Sequence, residues 1–449
     1  MEPTQKPVIV SNKSVHRAWS MYDWANSAYN LVITSTIFPA YYAAITVLKE
    51  GDKVISDKVS FFGWQITNSV LFDYALAFAY LVIAVLSPVL SSIADYKGNK
   101  KSFMRLFCYL GSVACCGLYF FKLNTLEWGI ACFVLAAIGY CGSLVFYNAY
   151  LPEIAFEEER DKVSAQGFAY GYIGSVLLQL ICFLFVLKPE WFGIIDASFP
   201  ARLSFLLVGI WWFGFSHITF YKLPKGVPSA QHPEHNVLNN GFIELKKVWY
   251  QLKAMSVLRT YLGSFFLYSM GVQTVMLAAT IFGSKELKLE TGQLIMTILI
   301  IQLVAIAGAY LMAKLSGRFG NLHVLLIVVF IWMGVCIAAY FITTPVQFYI
   351  LAAIVGIVMG GIQSLSRSTY SKLMPPTHDT ASFFSFYDVT EKIAIVIGMF
   401  SFGLIEQITG SMRNSILVLI VFFALGALVL YLAIRISNKE KDSFITTRL

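Results

Sequence analysis

Charged side chains interrupt the otherwise apolar stretches of this sequence. Asp23 lies about one turn inside the first apolar run, and Asn26 and Tyr29 follow it at three-residue intervals. A carboxylate within lipid is costly and usually serves a function, such as carrying a proton or controlling access to a solute site. An Asp in the first turn of a helix is also stabilised by the helix dipole, so a structural role for Asp23 is equally open.

Two later runs also carry charged residues. Asp388 and Lys392 are four residues apart with the acid first, the favourable order for a helical ion pair, and Glu391 offers Lys392 a second partner. This pair either serves gating or proton transfer, or is a self-compensated pair near a helix end. Arg367 could hold an anionic group through both of its terminal nitrogens, or it could pair with Glu153 in the other half of the chain.

Uncharged polar residues within the runs complete a set of candidate solute contacts. The candidates are Asn26, Tyr29, Tyr147, Asn148, Gln273, Gln363 and Arg367. A zwitterionic solute needs partners of both charges, and Asp23 with Arg367 could supply them. Because Asp23 and Arg367 lie near helix ends, the deeper amides Asn26, Gln273 and Gln363 are expected to contact the solute. Asp23 and Arg367 are then expected to gate access, or in the case of Asp23 to carry a proton.

The elements that hold these residues have the length of a bilayer. The chain has 449 residues, of which 58% are hydrophobic and 13% are charged, whereas soluble domains carry about 25% charged residues. The apolar residues gather into a dozen runs of about 20 residues, which is the length a helix needs to cross a membrane. Soluble enzymes, nucleic-acid-binding proteins and secreted disulfide scaffolds are therefore excluded. The sequence predicts an all-α polytopic membrane protein with twelve transmembrane helices.

The twelve spans divide into two halves of six. The predicted segments are a tail (1–21), a first bundle (22–221), a linker with an amphipathic helix (222–260), a second bundle (261–436) and a tail (437–449). Gly98 and Gly320 stand 222 residues apart in similar loops, and Pro152 and Pro375 stand 223 apart after similar helices. Two landmarks with nearly the same offset indicate pseudo-repeats. A fold of this kind is typical of a rocking transporter whose site lies between its halves.

The distribution of basic residues predicts the orientation. With twelve spans, both termini lie on one side, and that side holds 23 of the 33 Lys and Arg residues, against nine on the other. Cytoplasmic loops carry the excess of basic residues in membrane proteins. Both termini and the linker are therefore expected to face the cytoplasm.

The loop after the second span reads SSIADYKGNKK. It resembles the signature loop of the major facilitator superfamily, approximately Gly-x-Leu-Ala-Asp-Arg-x-Gly-Arg-Lys, which Asp95, Gly98 and Lys100 match. A glycine permits the sharp turn, and an acid at the membrane edge can pair with a cation or face a helix N-terminus across the bundle. In the second half Gly317 replaces the acid, so only the first copy is expected to form such a latch. The alternative is an ordinary basic cytoplasmic turn.

A sharper resemblance lies in RAWSMYDWANSAYN of the first span, VFYNAYLPEIA after the fourth, SAQGFAYGYIGS in the fifth and GGIQSLSRSTY in the tenth. Together they are similar to the superfamily branch of the autophagy-linked vacuolar amino-acid effluxer and its bacterial relatives. The resemblance implies a secondary transporter of small solutes, with amino-acid export as the characterised activity. In the seventh span this branch often carries an Asp before Gly271, where this chain has Met270. Proton coupling is therefore expected at Asp23 or Asp388.

The expected function is secondary active transport by alternating access, with export of amino acids or similar metabolites coupled to an ion gradient. The alternative is a membrane-embedded enzyme or a lipid-handling protein on the same scaffold. The sequence has no P-loop, HExxH or GxSxG pattern and no Cys spacing typical of metal ligands, so no catalytic residue, metal or cofactor is predicted. The expected partners are a small solute, protons and the bilayer, without nucleic acid. We expect a monomer in a bacterial inner membrane.

Overall fold

Twelve helical spans form the protein in a computed structural model that describes residues 11–50, 53–226, 228 and 237–446. Eleven are long, apolar helices able to cross a membrane. Spans 2 to 6 are Asn68–Lys97, Lys100–Gly117, Leu126–Ala149, Arg160–Leu187 and Phe199–Lys222. Spans 7 to 12 are Ser256–Leu287, Thr291–Phe319, Asn321–Phe341, Pro345–Leu373, Thr380–Thr409 and Met412–Thr446. The prediction of a twelve-helix membrane protein in two six-helix halves is confirmed.

Span 1 differs from the others because its helix changes register. It consists of the α-helix Lys13–Ala28, the π-helix Tyr29–Thr36 and the α-helix Ile37–Thr46. Pro39 has no N–H, so a regular helix would leave the carbonyl of residue 35 without its partner. The hydroxyls of Ser35 and Thr36 donate to carbonyls five residues earlier, at 2.9 and 2.7 Å, which suits the wider turn.

Two short β-hairpins follow span 1. Leu48–Glu50 (β1) pairs with Lys53–Ser56 (β2), and Lys58–Phe61 (β3) pairs with Trp64–Thr67 (β4), both antiparallel. The second hairpin turns at Phe62 and Gly63, which both have positive φ. These strands lie on the side of the protein opposite the termini.

The two halves repeat one packing pattern. Span 1 packs against spans 5 and 6, and span 7 packs in the same way against spans 11 and 12. Between the halves, span 2 packs against span 11, and span 8 packs against span 5. Span 8 is the counterpart of span 2 in the second half, and span 5 is the counterpart of span 11 in the first, so the two contacts are equivalent. The fold therefore has a pseudo-twofold axis between its halves.

Glycines permit the closest helix approach. A Cβ at Gly171 of span 5 would lie 2.5 Å from the Ser27 hydroxyl oxygen of span 1, and a Cβ at Gly174 would lie 2.6 Å from the Trp24 carbonyl oxygen. Gly167, four residues before Gly171, gives span 5 the small-residue spacing that commonly allows such contact in lipid. Spans 1 and 5 therefore pack closely against each other.

The linker contains the helix Val237–Ala254. It packs against span 2, with Val248 and Leu252 buried. Lys247 pairs with Asp379, just before span 11, at 3.0 Å. Partial burial lowers the pKa of Lys247, but the Asp379 and Glu244 carboxylates raise it more, so that it lies above its usual value. The linker helix therefore contacts both halves, through its packing on span 2 and its ion pair with Asp379.

Candidate functional site

A polar cavity of about 150 Å³ lies between the two halves. Spans 1, 2, 4 and 5 supply one wall, and spans 7, 10 and 11 supply the other. Its charged lining groups are Asp23, Arg367, Glu391 and Lys392, and its amides are Asn30, Asn148, Gln273 and Gln363. Six aromatic rings separate these polar groups. The cavity has the mixed polar and aromatic lining that is typical of small-molecule sites.

The end of the cavity nearer the termini is closed by a buried ion pair across the halves. Arg367 Nη1 lies 3.2 Å from Asp23 Oδ2, and the Tyr147 hydroxyl donates to the same carboxylate at 2.7 Å. Arg367 also donates to Asn148 Oδ1 at 3.2 Å and to the Ser164 hydroxyl and carbonyl at 3.0 and 2.9 Å. The alternative pairing of Arg367 with Glu153 is wrong, because the carboxylate that pairs with Arg367 is that of Asp23.

The span 11 wall carries a second charged cluster. Lys392 Nζ lies 3.3 Å from Asp388 Oδ1 and 3.1 Å from Glu391 Oε2. Gln273 of span 7 donates to the other oxygen of Glu391 at 2.9 Å. Asp388 faces away from the cavity, and its Oδ2 is buried without a hydrogen-bond partner among the described residues.

Asn148, Gln273, Gln363 and Arg367, four of the predicted solute contacts, line the cavity. Asn26, Tyr29 and Tyr147, the other three, lie outside the cavity lining. Each three-residue step along an α-helix falls about 60° short of a full turn. The series from Asp23 through Asn26 to Tyr29 therefore rotates away from the cavity.

The residues of span 1 that do share the Asp23 face are Ser27 and Asn30, four and seven positions later. Tyr29 instead packs against the rings of Tyr140 and Trp212, at 5.0 and 5.9 Å between ring centroids. Tyr147 lies outside the cavity lining and contacts a lining residue through its hydrogen bond to Asp23.

The first latch joins the loop after span 2 to the start of span 11. Asp95 accepts hydrogen bonds from the backbone N–H of Ala381 and Ser382 at 3.2 and 2.7 Å, and from the Ser382 hydroxyl at 2.7 Å. These N–H groups belong to the first turn of a helix, where an anion is stabilised. Gly98 ends span 2 with φ of 63°, which turns the chain back toward this contact.

Lys100 completes the first latch. Its ammonium lies 3.6 Å from Asp95, donates to the Thr380 hydroxyl at 2.8 Å and pairs with Glu153. The Thr380 hydroxyl in turn donates to Glu153 at 2.6 Å. Glu153 therefore pairs with Lys100 and Thr380 rather than with Arg367. The first latch consists of Asp95, Lys100, Glu153, Thr380 and Ser382.

A second latch lies at the pseudo-symmetric position. Asp161, in the first turn of span 5, accepts from Ser316 Oγ at 2.8 Å, Asn321 Nδ2 at 2.7 Å and Lys372 Nζ at 2.6 Å. Ser316 and Asn321 lie near the junction of spans 8 and 9, and Gly317 of span 8 stands where an acid would match Asp95. The second half therefore has no counterpart of Asp95. Its contact uses instead an acid at the start of span 5, which the sequence analysis did not predict.

Both latches close the same side of the molecule. Within the described residues, hydrogen bonds between the halves begin at the helix ends near the termini. The one farthest from the termini joins the Tyr172 hydroxyl to Gln363 Oε1, at 2.6 Å. Beyond it, a cleft of about 490 Å³ separates the outer parts of spans 2 and 11. Tyr80 and Ile395 line both this cleft and the central cavity. The structure is closed on the side of the termini and looser on the opposite side.

The sequence interpretation missed several groups of this site. Asp161, which joins the halves, is not among the predicted site residues. Tyr80 and Tyr140, which line the cavity, are not among them either. The seven-residue spacing from Asp23 to Asn30 was the available signal for the lining face of span 1.

A family model described as "Vacuole effluxer Atg22 like" matches residues 11–443. This chain belongs to that family. It is 31% identical over 422 residues to an uncharacterized MFS-type transporter, YxiO, of Bacillus subtilis (strain 168), covering 92% of this chain and 93% of YxiO. It is 24% identical to autophagy-related protein 22 of Eremothecium gossypii, covering 94% of this chain and 90% of that protein.

Solved structures agree with this assignment at the level of the fold. The major facilitator superfamily transporter FucP, in the outward conformation, superposes with a TM-score of 0.68 at 13% identity, covering 94% of this chain and 99% of that one. The proton:xylose symporter XylE gives a TM-score of 0.68 at 12% identity, covering 93% and 94%. The chain is a multi-pass membrane protein with the major facilitator fold. Its relatives support secondary transport of a small solute.

Proposed function

We propose that the protein is a secondary active transporter that exports amino acids or similar small metabolites by alternating access, coupled to an ion gradient. The observation that carries this proposal is the polar cavity between two pseudo-symmetric halves, closed on one side by two latches. Both latches consist of hydrogen bonds and ion pairs between rigid helix ends, so they can separate as units. A rocking motion that opens them would expose the cavity to the other side.

The proposed location is a bacterial inner membrane, with both termini in the cytoplasm. The excess of basic residues on the side of the termini supports this orientation. In that orientation the structure is closed to the cytoplasm. Reporter fusions at residue 449 and within the linker test the topology, and external reporter activity at either position would refute it.

Proton coupling is proposed at Asp23 or Asp388. Each carboxylate has one cation beside it, Arg367 for Asp23 and Lys392 for Asp388. A proton on either acid would release that cation and change the contacts between or within the halves. The coupling residue, when neutralised to Asn, should lose gradient-driven accumulation and keep exchange of solute for solute. Full proton-driven accumulation in both single variants would refute this assignment.

The central test of transport is an exchange assay in proteoliposomes. Vesicles containing the purified chain are loaded with a mixture of unlabelled amino acids, and entry of each labelled amino acid is measured without an ion gradient. Solute-specific exchange well above that of empty vesicles is expected, with loss in Arg367→Ala. The control Glu190→Gln changes a solvated carboxylate outside the cavity and should exchange normally. Uniform absence of exchange for amino acids would contradict the proposed substrate class.

A further inference from the structure

Both cations in the central cavity already have partners. The Arg367 guanidinium donates to Asp23, Asn148 and Ser164 and lies over the ring of Phe168, at 4.2 Å from the ring centre. Lys392 lies between two carboxylates. A solute carboxylate would have to displace a buried ion pair to reach either cation. Leaving a buried charge without its partner is unfavourable.

The carboxylates in this region outnumber the cations. Asp23, Asp388 and Glu391 face only Arg367 and Lys392, so the five groups carry a net charge of −1 when all are ionised. The side chain of Glu391 is 24% exposed, whereas the exposures of the other four lie between 3% and 7%. Glu391 also bonds to Lys392 and Gln273, but it is the charged group most accessible to a solute, and it is a carboxylate.

Aromatic rings lie beside this carboxylate. Tyr387 is one helical turn before Glu391 and stacks on Phe265, with 4.2 Å between ring centroids. Tyr268 completes the cluster at 5.6 Å from Phe265. The faces of such rings attract organic cations, and a carboxylate beside them adds to the attraction. The cavity volume of about 150 Å³ is close to that of a protein cavity known to hold benzene.

We propose that the cavity recognises its solute through a positively charged amine, which lies against Glu391 and the rings of Phe265 and Tyr387. A carboxylate on the same solute has no free cation to bind and contributes no affinity. The inference rests on the proposed function, since it takes the cavity as the solute site, and it narrows the substrate class to small amines and amine-bearing metabolites. Simple carboxylates are excluded.

The test uses three compounds that share one carbon skeleton. These are 3-methylbutylamine, leucine and 4-methylpentanoate, which carry an amine, both groups and a carboxylate. Binding to the purified full chain in detergent is measured from the rise in melting temperature with ligand concentration. The half-saturating concentration of the amine should be at least tenfold below that of the carboxylate. Leucine should not bind more tightly than the amine.

Two variants test whether the amine binds at Glu391 and at the ring of Phe265. Glu391→Gln should weaken amine binding at least tenfold, whereas Glu406→Gln, on the same span but paired with Lys285 away from the cavity, should not. Phe265→Leu keeps an apolar side chain, removes a ring and should weaken amine binding several-fold. It also provides the test if Glu391→Gln does not fold.

Equal or tighter binding of the carboxylate overturns the inference. So does amine binding that survives both Glu391→Gln and Phe265→Leu, and so does a lack of binding by all three compounds. The proteoliposome exchange assay decides separately whether the protein transports amino acids. A transporter that exchanges leucine but binds it mainly through the carboxylate would keep the proposed function and refute this inference.

Discussion

The two latches occupy equivalent positions but use different chemistry. In the first, Asp95 comes from the last turn of span 2 and binds the backbone N–H groups that begin span 11. In the second, Asp161 comes from the first turn of span 5 and binds side chains of spans 8, 9 and 10. Pseudo-symmetry thus preserves where the halves meet, while the residue that supplies the charge differs.

The latches also differ in exposure. The side chains of Asp95 and Lys100 are 0% and 2% exposed, while those of Asp161 and Lys372 are 5% and 19% exposed. Water and salt screen an ion pair more as it becomes exposed. The first latch should therefore contribute more to keeping the terminal side closed, and the following predictions test that ranking.

The largest effect of a single substitution is expected for Asp95→Asn. The variant keeps the shape of the side chain but loses a buried charge that accepts three hydrogen bonds and faces a helix start. Hydrogen bonds to a charged group contribute about 2 kcal/mol, so the closed state should lose roughly thirtyfold in relative population. Exchange in proteoliposomes should fall about tenfold while the protein remains inserted and monodisperse. Unchanged exchange would contradict a latch role.

A smaller effect is expected for Asp161→Asn. The amide oxygen still accepts from Ser316 or Asn321, and the lost ion pair to Lys372 is partly exposed. Partly exposed pairs contribute about 1 kcal/mol or less, so a change of roughly threefold in exchange is expected. An effect of Asp161→Asn that exceeds that of Asp95→Asn would reverse the ranking of the latches.

The fold was more predictable from the sequence than the site. Span number, the two halves and the first latch follow from apolar runs, a repeat offset and the residues Asp95, Gly98 and Lys100. The second latch could not be predicted, because no local pattern shows that Asp161 lies beside a loop some 155 residues later in the chain. Which residues line the cavity depends on how each helix is rotated about its axis. Asn26 lies about 60° around span 1 from Asp23, and this difference places it outside the cavity lining.

The smallest effect is expected for Gly317→Asp, which restores an acid to the loop after span 8. A Cβ at this position meets no atom within 4 Å, so the new carboxylate would point into open space rather than toward span 5. Combined with Asp161→Asn, it should leave exchange at the level of Asp161→Asn alone. Recovery to the wild-type rate would show that the loop can supply the acid after all.

The central claim is that the two latches hold the cavity closed on the side of the termini. A single cysteine at residue 363, in a chain whose seven native cysteines are replaced, can be labelled with a membrane-impermeant maleimide from either side of oriented vesicles. With both latches intact, labelling should occur from the side opposite the termini. With Asp95→Asn and Asp161→Asn combined, labelling from the side of the termini should increase by an order of magnitude or more. Equal labelling from both sides in the intact protein, or no change in the double variant, would contradict the account.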